Sequence, residues 1–199
     1  MLPLLLASAS PRRRELLERV GVPLEVRPAD IDETPRPHEG PAVYVARIAH
    51  EKARAVKRRP GQWVLAADTT VTIDGLILGK AATPDEATEM LRLLSGRVHQ
   101  VITAVTLLGG DEITVDHDLL VASDVAVSEL AEATIAGYVA SGEWRGKAGA
   151  YAIQGIAAGL VREVRGSVTN VIGLPLAEVL DALRALGAPG PNLAAGIAS

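Results

Sequence analysis

The dipeptide Asp74-Gly75 is the feature that most restricts the fold of this chain. It separates an apolar segment at residues 63–73 from a second apolar segment at residues 76–78. Asp-Gly between two such segments is typical of the two-residue turn of a β-hairpin. The sequence therefore predicts antiparallel strands, which argues against a purely parallel sheet.

Helical segments alternate with the predicted strands. Helices are predicted to begin at Ser10-Pro11, at Pro41, at the capping box of residues 83–86, at Ser128 and at Pro175. Further strands are predicted at residues 4–7, 98–108, 113–127 and 160–164. We therefore expect an α/β protein with a mixed central sheet.

Composition limits the classes of protein to consider. The 199 residues suit one domain, which can be divided into two lobes around a cleft. The net charge of −4 and the 3% aromatic content argue against a nucleic-acid-binding protein. The absence of Cys excludes disulfides and thiolate catalysis. The short apolar start has no preceding positive charge, and no segment is long enough to span a bilayer, so we expect a cytoplasmic protein without membrane contacts.

The segment from Ser8 to Arg14 combines a predicted helix start with three consecutive arginines. A helix N-terminus attracts anions, whereas cationic side chains in its first turn are unfavourable unless an anion binds there. Ser8, Arg12 and Arg13 therefore indicate a phosphate site, with a solvated basic turn as the alternative. No GxxxxGK[ST] motif occurs, so P-loop chemistry is not expected.

Asp68 interrupts the apolar strand predicted at residues 63–73. A buried carboxylate requires a charged partner, a metal ion or a raised pKa, and Asp is unfavourable in strands. We interpret Asp68 as a functional residue. The alternative is a structural Asp that pairs with an Arg or caps a turn.

Four more polar residues have positions that suit a nucleotide site. Lys52 lies on the apolar side of its predicted helix and Lys80 follows a predicted strand, so both could neutralise a polyphosphate. Glu33 could help to hold a divalent cation, and Gln154 could contact a base edge. The alternatives are surface lysines, a loop acid and a tight turn. The role of His99 stays open.

These segments, in this order, resemble the Maf family of nucleotide pyrophosphatases. The resemblance extends from Leu4 to about Leu186, so we expect a single domain at residues 1–187 and a flexible tail at residues 188–199. The matching stretches are LLLASASPRRRELL, DIDET, VARIAHEKA, VLAADTTVTIDGLILGK, ATEMLRLLSGRVHQVITAV, IAGYVASGEWRGKAGAYAIQG and NVIGLPL.

The resemblance implies a twisted mixed sheet flanked by helices, with two lobes around a cleft, similar to inosine triphosphate pyrophosphatases. It implies cleavage of a nucleoside triphosphate between the α- and β-phosphates with a divalent cation, Mg²⁺ or Mn²⁺. Asp68 would be the general base and, with Glu33, would lie at the metal. The residues implied to bind phosphate are Ser8, Arg12, Arg13, Lys52 and Lys80.

Arg12, Thr69 and Gln154 match the positions that separate substrate classes within the family. Thr69 within ADT, together with AYAIQG, is similar to the branch that hydrolyses dTTP, UTP and some modified pyrimidine nucleotides. Two alternatives remain: a pyrophosphatase for 7-methyl-GTP or another non-standard nucleotide, and a non-enzymatic nucleotide sensor in cell-division control. The resemblance also allows a homodimer, because many members are dimers.

Overall fold

A computed structural model describes residues 1–109 and 115–191. The strands are β1 (Leu4–Leu6), β2 (Leu24–Val26), β3 (Val64–Ile73), β4 (Leu76–Leu78), β5 (Val98–Gly109), β6 (Val115–Val127) and β7 (Val161–Arg165). They form one sheet in the order β2-β1-β3-β5-β6-β7, with β4 also paired to β3. β1 is parallel to β2 and to β3, and the other pairs are antiparallel. The prediction of a mixed sheet is confirmed.

The helices flank this sheet. They are α1 (Pro11–Arg19), α2 (Pro41–Ala55), α3 (Pro84–Leu94), α4 (Glu132–Ser141), α5 (Val168–Ile172) and α6 (Leu176–Ala185), with a short 3₁₀ helix at Ile156–Gly159. Within residues 1–109 and 115–191, no helix is long and apolar enough to cross a bilayer. The predicted turn at residues 109–111 and the start of its following strand fall partly outside the described residues, as do residues 192–199 of the expected tail.

The hairpin that the sequence predicts connects β3 to β4. Asp74 and Gly75 have φ values of 53° and 77°. Positive φ at both central residues is the requirement of the tightest hairpin turns, and it explains why Asp-Gly occurs here. The register pairs Ile73 with Leu76.

The prediction that Ser128 starts a helix is wrong. α4 begins four residues later, with Ala131 as its N-cap. The backbone of Ser128 instead connects two other segments: its N–H donates to the Leu160 carbonyl at 2.9 Å, and its carbonyl accepts from Gly96 N at 3.0 Å. These bonds hold residue 128 outside the helix.

One edge of β3 is paired at both ends but open in the middle. β1 pairs with β3 only as far as Leu65, and β4 pairs from Val71 onward. β5 occupies the whole opposite edge. Among the described residues, no strand pairs with this edge between those two points. Since backbone groups alternate along a strand, the N–H and C=O of Ala67 and Thr69 face this gap.

Two hydrophobic cores share one face of the sheet. The first packs α1 and α6 against β1, β3 and β5, and the second packs α3 and α4 against β3, β5 and β6. Thr69 on β3 and its strand partner Thr103 on β5 lie between the cores. The opposite face of β3 and β5 packs against α2. The molecule therefore has two lobes joined by the long central strands.

Asn170 of α5 closes the polar boundary between these cores. Its side chain is fully buried and donates to the Val101 carbonyl at 3.0 Å and to Ser123 Oγ at 2.9 Å. The backbone carbonyl of Asn170 accepts from Thr103 Oγ1 at 3.2 Å. A buried polar group needs such partners, because an unpaired one is costly. α5 was not predicted, since five residues are too few for a periodic apolar pattern.

We expect Asn170→Ala to lower the free energy of unfolding by about 2–4 kcal/mol, because it leaves the Val101 carbonyl and Ser123 without their partner in the interior. Gln100→Ala is the matched control, since this exposed amide on β5 bonds to Asp124 at the surface. It should change the free energy by less than about 0.5 kcal/mol. Urea unfolding of both variants measures the difference, and equal losses would contradict the role given to Asn170.

Candidate active site

A cavity of about 770 Å³ lies at the gap in the edge of β3. The loop after β1 enters it from one side, and the segment after β4 enters it from the other. The segment before the 3₁₀ helix and the C-terminal end of α5 also line it. All residues that the sequence singled out as site residues line it: Ser8, Arg12, Arg13, Glu33, Lys52, Asp68, Thr69, Lys80 and Gln154.

Lys52 joins two carboxylates in the wall of the cavity. Its Nζ lies 2.8 Å from Asp68 Oδ1 and 2.7 Å from Glu33 Oε1. Lys52 and Asp68 are each only 7% exposed. β3 and α2 are packed against each other, so two regular elements hold this buried ion pair in place. Asp68 therefore has the charged partner that its position in an apolar strand requires.

Glu33 reaches the same cluster from the segment before α2. Its partial burial raises the pKa of the carboxyl, but the hydrogen bond and charge of Lys52 and the charge of Lys80 lower it more. The net pKa of Glu33 lies below its usual range. Lys80 Nζ is 3.7 Å from Glu33 Oε2 and is mostly exposed. Glu33 is therefore a carboxylate between two ammonium groups at neutral pH.

Arg13 is buried under the floor of the cavity. Its Nε donates to the Gly173 carbonyl at 2.7 Å, Nη1 donates to Ser8 Oγ at 3.1 Å and Nη2 donates to Thr69 Oγ1 at 3.0 Å. Burial lowers the pKa of its guanidinium, and the charge of Asp68 partly counteracts this. Arg13 thus connects α1, β3 and the loop after α5 while carrying a positive charge.

Ser8 lies in the loop that precedes α1, and Arg12 lies in the first turn of α1. Ser8 Oγ accepts from Ser10 N at 3.2 Å, whereas the Ser10 side chain makes no capping bond of its own. Arg12 Nε donates to the Ile172 carbonyl at 3.3 Å, and partial burial lowers the pKa of its guanidinium. In the described part of the chain Arg12 has no carboxylate partner, so its charge is available to the cavity.

Thr69 and Gln154 stand in different environments. Thr69 Oγ1 accepts from Arg13, lies 2.9 Å from Thr103 Oγ1 and is 3.3 Å from the Gly173 carbonyl. Its hydroxyl is therefore held by the protein. Gln154 is exposed in a turn closed by a bond from Gly155 N to the Ala152 carbonyl at 3.1 Å. Its amide has no partner among the described residues, so both its donor and its acceptor are available to a ligand.

Sequence reasoning did not identify Tyr44 as part of this site. Its Oη donates to the Glu33 carbonyl at 3.0 Å, which positions the segment that carries the Glu33 carboxylate. Burial raises the pKa of Tyr44 to about 12, with a contribution from the charges of Asp68 and Glu33. The phenol therefore stays a donor. Tyr44 lies eight residues before Lys52 on α2, and that spacing places both on one helix face.

Lys147 and Tyr151 also line the cavity; they lie in the segment KAGAYAIQG that contains Gln154, but the sequence predicted no role for either. Tyr151 answers part of the question about His99: its Oη lies 2.7 Å from His99 Nε2, and the two rings meet edge to face. Burial lowers the pKa of His99 to about 4, so the imidazole is neutral at neutral pH. His99 therefore supports the wall of the cavity from β5 without entering it.

A second group of potential metal ligands lies elsewhere on the molecule. His50, Asp116 and Asp118 form the one cluster of three or more such ligands in the part of the chain that the structure describes. None of them lines the cavity. Arg54 already contacts this cluster, with Nη2 at 2.7 Å from Asp116 Oδ2 and Nε at 2.6 Å from His50 Nε2. The acidic pair inside the cavity is Glu33 and Asp68.

Comparison with known proteins gives matches along nearly the whole chain. A dTTP/UTP pyrophosphatase from Anaeromyxobacter dehalogenans (strain 2CP-1) is 54% identical over 189 residues, which cover 94% of this chain and 96% of that protein. A dTTP/UTP pyrophosphatase from Caulobacter vibrioides is 50% identical over 186 residues, covering 92% and 95%. A solved structure of a HAM1 protein from Coxiella burnetii aligns with a TM-score of 0.46 and 19% identity, over 65% of this chain and 75% of that one.

A family model described as Maf-like protein matches residues 3–186. This range contains every strand and helix described above. It also contains every residue that lines the cavity. The resemblance inferred from the motifs is confirmed: the chain belongs to the Maf family.

Proposed function

We propose that this protein hydrolyses dTTP and UTP to the nucleoside monophosphate and pyrophosphate. The observation that carries the proposal is the cavity at the gap in β3, where a buried carboxylate, Asp68, lies among five cationic side chains. Relatives that are about half identical along nearly their whole length are dTTP/UTP pyrophosphatases, which supports the same substrate class.

Asp68 is the residue best placed to act as general base. It projects from the interior of β3, so backbone pairing with β5 limits its movement. Lys52 binds Oδ1, and Oδ2 has no hydrogen-bond partner within residues 1–109 and 115–191. A carboxylate held at one oxygen and available at the other can take a proton from a water molecule that attacks the triphosphate.

The cations supply the second requirement of the reaction. A triphosphate repels an attacking nucleophile, so positive groups around it lower the barrier. Arg12 and Lys80 present two charges in the more exposed part of the cavity, while Ser8, Arg13 and Lys52 are buried in its wall. The cavity has a positive charge although the whole chain has a net charge of −4.

Glu33 and Asp68 also suit a divalent cation. Lys52 contacts an oxygen of each, which shows that two carboxylates converge on one point. Carboxylate oxygens are the ligands that Mg²⁺ and Mn²⁺ prefer. When bound, such an ion would polarise phosphoryl oxygens and offset their charge. Lys52 would keep the two carboxylates in place through the oxygen of each that it contacts.

Gln154 supports the choice of a pyrimidine nucleotide. An amide can donate and accept at the same time, which matches the imide edge of uracil or thymine. Gln154 is exposed at the cavity, and its amide has no hydrogen bond to any residue that the structure describes, as such a contact requires. Thr69 is small and bound to Arg13, which leaves room beside it that a larger side chain would take.

The function is tested by measuring pyrophosphate release from dTTP, UTP, CTP, GTP, ATP, ITP and 7-methyl-GTP with Mg²⁺ or Mn²⁺. We expect dTTP and UTP to be the fastest substrates. Preferred cleavage of 7-methyl-GTP would replace the substrate class. Nucleotide binding without pyrophosphate release from any substrate would contradict the enzymatic function and favour the alternative of a nucleotide sensor.

We expect Asp68→Asn to lower kcat for dTTP by roughly 10²-fold or more, because the amide keeps the shape of the side chain but cannot accept the proton. Asp124→Asn on β6 is the matched control, since Asp124 lies outside the cavity and bonds to Gln100. Steady-state kinetics of both variants check this. Near-normal turnover by Asp68→Asn would remove it as the base.

We expect Gln154→Leu to reduce kcat/KM for dTTP and UTP by roughly tenfold or more, because the imide edge of the base loses its hydrogen bonds. Inorganic tripolyphosphate lacks a base, so its inhibition constant against dTTP hydrolysis should be the same for the variant and the wild type. Inhibition that weakens in parallel with kcat/KM would show that Gln154 acts on the phosphates or on the fold instead.

A further inference from the structure

Of the residues that the structure describes, five with cationic side chains line the cavity and two with carboxylates do. Lys52 is paired with both Asp68 and Glu33, Lys80 lies 3.7 Å from Glu33, and three donors of Arg13 are bound within the protein. Arg12 and Lys147 differ from Lys52, Lys80 and Arg13. In the described part of the chain each contacts a backbone carbonyl, of Ile172 and of Glu143. Neither forms a salt bridge with any described residue, although the charge of the Glu143 carboxylate acts on Lys147.

These two cations also act on each other. Burial lowers the pKa of Lys147, the positive charge of Arg12 lowers it further, and the negative charge of Glu143 only partly counteracts both effects. Burial likewise lowers the pKa of Arg12. Two like charges that share a partly buried wall destabilise the empty protein, and an anion between them would remove that cost.

The backbone around Lys147 is built to keep this residue in place. Lys80 and Ala148 form an isolated antiparallel bridge, and Gly149 N donates to the Leu78 carbonyl at 3.0 Å. The segment that carries Lys147 is thus tied to the segment that carries Lys80. Ala150 has a φ of 58°, a conformation that residues with a side chain adopt at a cost. Gly149 approaches Val71 so closely that an added Cβ would lie 2.9 Å from it.

We infer that Lys147, together with Arg12, binds a phosphate group of the nucleotide. The inference rests on the proposed function and adds Lys147 to its substrate-binding residues. Lys147 lies on the same stretch of chain as Gln154, seven residues before it, while the bridge beside it leads to Lys80. The phosphate that Lys147 binds would therefore lie between the turn that carries Gln154 and Lys80.

Lys147 could instead serve the fold alone, by fastening the turn through the Glu143 carbonyl. The experiment separates charge from fastening with Lys147→Met, Lys147→Arg and the control Arg145→Met. Arg145 is two residues away, is exposed, stacks over the Trp144 ring and does not line the cavity. Dissociation constants for inorganic pyrophosphate and for dTMP are measured by calorimetry, and urea midpoints report on the fold. Wild-type turnover of dTTP is measured in parallel.

We expect Lys147→Met to weaken binding of pyrophosphate, of dTMP or of both by roughly tenfold, since one charge-assisted hydrogen bond is lost. Lys147→Arg and Arg145→Met should both bind as the wild type does. Loss confined to pyrophosphate assigns Lys147 to the leaving phosphates, and loss confined to dTMP assigns it to the α-phosphate. Loss of both assigns it to the bridge between them.

Unchanged binding of both ligands by Lys147→Met would overturn the inference, as would a wild type that binds neither. If Lys147→Met lowers the urea midpoint, Lys147→Arg decides: restored midpoint without restored binding leaves only the structural role and overturns the inference. A wild type that binds pyrophosphate but does not turn over dTTP contradicts the proposed function, while the binding comparison still tests Lys147.

Discussion

The open stretch on the edge of β3 is the constraint on which the site depends. β1 is short and stops at the point where its chain turns into α1, and β4 begins further along the same edge. The gap between them exposes backbone that would otherwise be paired, and a fold tolerates such an edge where a ligand or water satisfies it. The segments that follow β1 and β4 border the gap, and they carry Ser8 and Lys80. The shortness of two strands thus brings their flanking loops together at Asp68.

The polar and charged side chains at the gap lie on the two opposite faces of β3. Asp68 faces α2, where Lys52 meets it, and Thr69 faces α1, where Arg13 meets it. Consecutive residues on a strand point to opposite faces, so this single step of the chain connects both helical layers to the cavity. Thr69 also lies at the polar boundary between the two cores, which Thr103 and Asn170 complete. The lobes therefore meet where the substrate would bind.

Much of this arrangement could be predicted from the sequence, because several signals were local. Asp74-Gly75 indicated the hairpin, and the interruption of an apolar strand indicated Asp68. Proximity across the fold was less accessible. Lys147 and Tyr44 are ordinary residues until the bridge to Lys80 and the packing of α2 bring them to the cavity. Ser128 misled because a favourable capping residue was bound by more distant backbone groups, and this information is absent from local sequence.

The central claim is that the gap in β3 holds the triphosphate beside Asp68, and the most direct test is a crystal structure of Asp68→Asn with dTTP and Mg²⁺. We expect phosphates in the gap, between Arg12 and Lys80, with the thymine edge at Gln154. Nucleotide bound elsewhere, for example at His50, Asp116 and Asp118, with the gap filled only by water, would contradict it.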